Sequence, residues 1–129
     1  MPLTSRILFP TVQVYLNAVA DKAANAIDDS PHVRFWNIPY DQFINGIVPG
    51  VKCKGNPVPI IDKTDPLNSP FFVILTNANG WCRKRQMPGG GPFITDPGYS
   101  VTLAEGTSVT GQKIQDDLAD WLAHGFPNV

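Results

Sequence analysis

The chain has 129 residues, ten basic and eleven acidic side chains, a formal net charge of −1 and a pI near 6.0. That length suits one domain able to bury a core without a metal or disulfide staple, and the near-neutral balance argues against general nucleic-acid binding. Hydrophobic residues make up 43%, and 13 prolines with 11 glycines describe a globular chain of short elements and many turns.

At the N-terminus Arg6 precedes a mostly apolar run from Ile7 to Ala20, and Ala18-Val19-Ala20 has the small-x-small form of a signal cleavage site. Pro10, Gln13 and Asn17 interrupt that run, and the helical pattern continues past Ala20, so an internal helix is the better reading. No stretch approaches the ~18 apolar residues of a membrane span, and no N-x-S/T acceptor occurs. The expectation is a single soluble, cytoplasmic α+β domain spanning residues 1–129.

The first predicted element is a helix over 10–28, with Val12, Tyr15, Leu16, Val19, Ala23 and Ile27 on one face and Pro10 in its first turn. A short strand over 33–38 follows, with Phe35 and Trp36 as its bulk. Tyr40, Phe43, Ile44, Ile47 and Val48 then predict a second, short helix closed by Pro49-Gly50. Pro57, Pro59 and Pro66 allow only one or two short strands between 51 and 68.

Phe71 to Thr76 reads as a central strand with both faces nearly apolar. Asn77-Ala78-Asn79-Gly80 reads as a turn leading into a partner strand over 81–87. Tyr99–Leu103 and Thr107–Thr110 predict a second hairpin turning at Ala104-Glu105-Gly106. The last element is a helix over 112–124, capped by Thr110, buried along Ile114, Leu118, Trp121 and Leu122, and stopped by Gly125 and Pro127. The sum is a mostly antiparallel sheet with an N-terminal, a short second and a C-terminal helix packed on one face.

Charge is unevenly spread along this chain. Residues 52–85 carry Lys52, Lys54, Lys63, Arg83, Lys84 and Arg85 against Asp62 and Asp65, a net of +4. Residues 86–129 carry Lys113 against Asp96, Glu105, Asp116, Asp117 and Asp120, a net of −4. On an extended strand, Trp81, Arg83, Arg85 and Met87 share one face, and Cys82, Lys84 and Gln86 the other. Two guanidiniums beside an indole could hold a phosphate or carboxylate, and Gly89, Gly90 and Gly91 in the next loop could bring backbone N–H groups to it. Plainer readings compete: an outer strand protected from edge pairing by its cations, or cations that pair with the acidic last helix. The loop lacks the Lys-Ser/Thr ending and following helix of a P-loop.

Other chemistry is sparse. His32, His124, Cys53 and Cys82 form no close ligand pair, so no metal or other cofactor is expected. Asp62-Lys63-Thr64-Asp65 lacks the ligand alternation of a calcium loop. His124 suits a helix C-terminus. Cys82 is the one candidate nucleophile, activated by Arg83 and Lys84 if exposed; a buried free thiol and a Cys53–Cys82 disulfide are its alternatives. Glu105 belongs in an exposed turn, and Asp116, Asp117 and Asp120 read as a solvated helix face.

No catalytic signature stands in the sequence. The leading expectation is therefore a non-catalytic interaction module that self-associates as a homodimer or meets a macromolecular partner, its basic strand complementing its acidic helix. The alternative is a binding protein or enzyme for a small anionic ligand held by Trp81, Arg83, Arg85 and the Gly89–Gly91 loop.

Overall fold

A computed structural model describes residues 7–23, 34–82, 84–87, 91–103 and 105–128. Among them lie four α-helices and two small antiparallel sheets, an α+β fold. Helix α1 spans Phe9–Lys22 and buries Val12, Tyr15, Leu16 and Val19, the face its spacing predicts. It ends earlier than expected, because Ala23 is already extended (φ −58°, ψ 141°); residues 24–28 of the predicted helix lie outside the described residues.

The polar residues that interrupt α1 have a structural purpose. Gln13 Nε2 donates to the carbonyls of Trp36 (2.9 Å) and Ile38 (3.2 Å), and Trp36 Nε1 donates to Asn17 Oδ1 (2.8 Å). The Gln13 amide thus satisfies backbone carbonyls that a strand neighbour would otherwise serve. Residues 34–38 are consequently turns, not the expected strand; Val33 lies outside the described residues.

Helix α2 is Tyr40–Asn45, shorter than predicted, because Gly46 turns extended and Ile47 and Val48 join strand β1, Ile47–Cys53. Strand β2, Asn56–Pro59, pairs with it antiparallel through Lys52↔Pro57 and Cys53↔Asn56, with an irregularity between Ile47 and Lys52. Lys54 and Gly55, both at positive φ (53° and 82°), make the two-residue turn.

The largest departure from expectation is helix α3, Pro70–Thr76, where the sequence suggested a central strand. A six-residue apolar run fits either element, and periodicity alone cannot separate them. Pro70 sits in the first turn, where its missing N–H costs nothing, and Phe72 and Val73 N–H both donate to the Ser69 carbonyl. Phe71 and Leu75, four apart, form the buried face.

With α3 helical, no strand is left to pair with 81–87. Instead Trp81 and Lys84 exchange backbone hydrogen bonds, both 2.9 Å, closing a tight reverse turn. Gly80 is required at its entrance: φ is +74°, and a Cβ would collide with the Lys84 carbonyl. Beyond the turn, buried Gln86 donates through Nε2 to Leu75 O (2.9 Å) and Thr95 Oγ1 (2.8 Å), and Met87 N–H donates to Ile74 O (2.8 Å).

The C-terminal part follows the sequence closely. Strands β3, Ser100–Thr102, and β4, Ser108–Thr110, pair in register with Val101 opposite Val109. Helix α4, Gly111–Ala123, is capped by Thr110 Oγ1, which accepts from Lys113 N–H at 3.1 Å. Ile114, Leu118, Trp121 and Leu122 are all at most 1% exposed. Phe9, Phe43, Phe71 and Trp121 pack around one another with ring centroids 5.1–6.3 Å apart, joining α1, α2, α3 and α4 in one core. Asp117 corrects the picture of a solvated acidic face: it is fully buried, accepting from Tyr15 Oη at 2.6 Å and from Lys113 Nζ at 2.9 Å.

Candidate functional site

Beside the aromatic core, with Phe71 common to both, the elements line an open cavity of about 440 Å³. That volume falls within the ~300–1,000 Å³ range of small-molecule sites. Leu16, Val19 and Ala20 of α1 form one wall, extended by Phe35 and by Trp36, which Gln13 and Asn17 hold. Phe71, Ile74 and Leu75 of α3 stand on another side. Val48 and Val51 of β1, Val58 of β2, and Trp81 with Met87 complete the apolar lining.

Among the described residues, three ionisable side chains line this space, and all three are cationic: Lys52, Lys84 and Arg85. Each is solvent-exposed, which sets the charge at the mouth. Among the described residues the lining contains no carboxylate, histidine or cysteine. Low-dielectric walls beside like charges concentrate a positive potential there. An apolar body can be buried in such a site while an anionic group stays among the cations.

Cys53, at the end of β1, is disulfide-bonded to Cys82 in the reverse turn, with Cα atoms 5.9 Å apart. The candidate nucleophile therefore has no thiolate to offer, which corrects the catalytic role considered for Cys82. Covalent closure also ties two of the cavity's borders together.

Of the residues expected to bind an anion, Trp81 and Arg85 do meet at this cavity. Arg83, Gly89 and Gly90 lie outside the described residues, and Gly91 is buried but not part of the lining. The period-of-two assignment fails with the strand: Lys84, placed on the opposite face, shares the mouth with Arg85. Lys52 was missed as a site residue. Its only signal was membership of the +4 segment beside a cysteine.

The remaining candidates have local roles. His124 Nδ1 lies 2.7 Å from the Asp120 carbonyl and 3.2 Å from Asp120 Oδ1, at the end of α4. Asp62 Oδ1 accepts from Thr64 and Asp65 N–H in a local turn (3.0 and 3.1 Å). His32 lies outside the described residues. Among those described, no group of three His, Cys, Asp or Glu side chains comes together, and no helix is long and apolar enough to cross a membrane. Burial, reinforced by Asp96, pushes the Tyr99 phenol up to about 12; burial, with Asp41, also raises Tyr40. Neither tyrosine lines the cavity.

No known protein family, curated protein or solved structure matches the chain.

Proposed function

We propose that the protein is a non-catalytic binding protein for a small amphiphilic anion, an apolar body carrying one carboxylate or phosphate. The observation that carries this reading is the one-sided chemistry of the cavity: an apolar lining whose ionisable members, among the described residues, are Lys52, Lys84 and Arg85. Apolar burial supplies affinity, and charge-assisted hydrogen bonds at the mouth supply selectivity and orientation. Trp81 serves as an apolar wall instead of a stacking surface on an exposed strand.

The interaction-module reading draws less support from the geometry. Its acidic helix is partly spent within the chain, since Asp117 is buried with Tyr15 and paired with Lys113. The disulfide favours an oxidising compartment over the cytoplasm expected from the sequence. Intact mass of natively produced protein, taken without reductant, tests that point: it should be two hydrogens short of the reduced chain.

Trp36 and Trp81 line the cavity, so intrinsic fluorescence reports occupancy directly. Titration with decanoate and decyl phosphate should give saturable changes, stronger than with decanol. Arg85→Gln with Lys84→Gln should weaken the preferred anion by about threefold, at unchanged melting temperature. Absence of saturable binding by either anion overturns the proposal. A ligand-free dimer in native mass spectrometry would then restore the self-association reading.

A further inference from the structure

Resting on this ligand reading, we propose that the Cys53–Cys82 disulfide is a positioning device for charge: it keeps Lys52 on the same cavity mouth as Lys84 and Arg85, so anion selectivity belongs to the oxidised protein. The three cations come from two separate pieces of chain. Lys52 lies on β1, next to Cys53; Lys84 and Arg85 follow Cys82 in the reverse turn. Each piece has its own non-covalent anchor. β1 is paired with β2, and the turn is fastened to α3 through Met87 N–H on Ile74 O and Gln86 Nε2 on Leu75 O. Among the described residues, no hydrogen bond joins residues 81–87 to residues 47–59. The disulfide links them covalently.

Separation matters for charge more than for apolar contact. At an aqueous mouth the attraction of Lys52 for a bound anion is screened over about 8 Å at physiological ionic strength. If β1 and the turn move apart, Lys52 drops out of the site. The α1 and α3 walls carry no cysteine and stay packed on the core, so they continue to hold an apolar body. Cys53 and Cys82 are both only partly buried, so a thiol reductant can reach the bond. Dithiothreitol reduces it by two electrons, its thiol hydrogens going to the two cysteines as its own sulfurs form a cyclic disulfide.

The experiment reads the ratio of the decanol to decanoate dissociation constants by tryptophan fluorescence, in oxidised and dithiothreitol-reduced protein. A ratio of about tenfold in the oxidised form, falling to about threefold or less on reduction with decanol affinity unchanged, is the expected result. An unchanged ratio overturns the proposal. So does a parallel loss of decanol and decanoate affinity, which marks a plain structural staple. Oxidised protein that binds neither probe removes the ligand reading itself, and this proposal with it. Should reduction unfold the chain, Lys52→Gln in the oxidised protein carries the test. It must lower the ratio about threefold at constant decanol affinity, and an unaltered ratio overturns the assignment.

Discussion

The segment from Pro70 to Met87 and the segment from Tyr99 to Ala123 differ in what decides their structure. In the C-terminal segment every local signal agrees: Gly106 turns the hairpin at φ 97°, Thr110 caps α4, and one helical stripe is buried against the aromatic core. In the earlier segment the local signals conflict. Phe71 to Thr76 suits a strand by composition, yet Pro70 favours a helix start, and helix it is. The C-terminal segment buries Val101, Val109, Ile114, Leu118 and Trp121, while Tyr99, Ser100 and Thr110 edge a separate, more polar opening. The Pro70–Met87 segment borders the candidate site, with Phe72, Val73, Ile74, Trp81 and Met87 all partly exposed. Consistency between local and global preference goes with a fully buried helical stripe, and conflict goes with a partly exposed wall.

Mutations can break this contrast. Trp121→Ala should be the most destabilising, by about 3–5 kcal/mol in urea denaturation, because the ring is fully buried between α1, α2 and the chain end. Trp81→Ala, at the cavity, should cost less than about 2 kcal/mol and show itself chiefly in the ligand titration. Equal losses at the two sites would erase the distinction between packed core and cavity wall.

Gly80→Ala should cost about 1–3 kcal/mol through its positive φ, with the Lys84 carbonyl adding a clash. It should also weaken decanoate binding, since the turn carrying Lys84 and Arg85 depends on it. Tyr15→Phe should cost about 1–3 kcal/mol by removing a hydrogen bond to buried Asp117. Thr110→Ala should cost about 1 kcal/mol, the worth of a helix cap, and leave ligand binding untouched.

Tyr99 gives the smallest and most specific effect. Its phenol titrates at about 12 in the folded protein, above its ordinary value of about 10. The unfolded chain releases that proton first, so its contribution to stability is fully present below pH 10 and is lost as pH rises through 12. Tyr99→Phe should flatten this part of the profile. At neutral pH the change should be nearly neutral, because Tyr99 Oη is buried with no hydrogen-bond partner among the described residues. A stability profile over pH 9–12 for both proteins checks it.

For the candidate site, the sequence pointed to Trp81 and Arg85 and to a basic stretch without saying what surrounded them. It could not show that Lys84 shares their side, because the face assignment depended on an extended strand that does not form. Nor could it reveal Lys52, which lies beside Cys53 and lines the same cavity as Lys84 and Arg85. Gln13 and Asn17 were visible as polar breaks in an apolar helix, but their partners in 34–38 stand about twenty residues away.

What the sequence determined by itself was the α+β class, α1 and its buried face, and the whole of β3, β4 and α4, where caps, turn glycines and periodicity lie within a few residues of one another. Only tertiary structure decided that 70–76 is a helix, that 34–38 is not a strand, and that the cysteines are joined. Those outcomes rest on contacts between distant residues: the Gln13 amide substituting for a strand partner, a core-facing Phe71 and Leu75, and a disulfide spanning 29 positions. No local window contains both halves of such a contact.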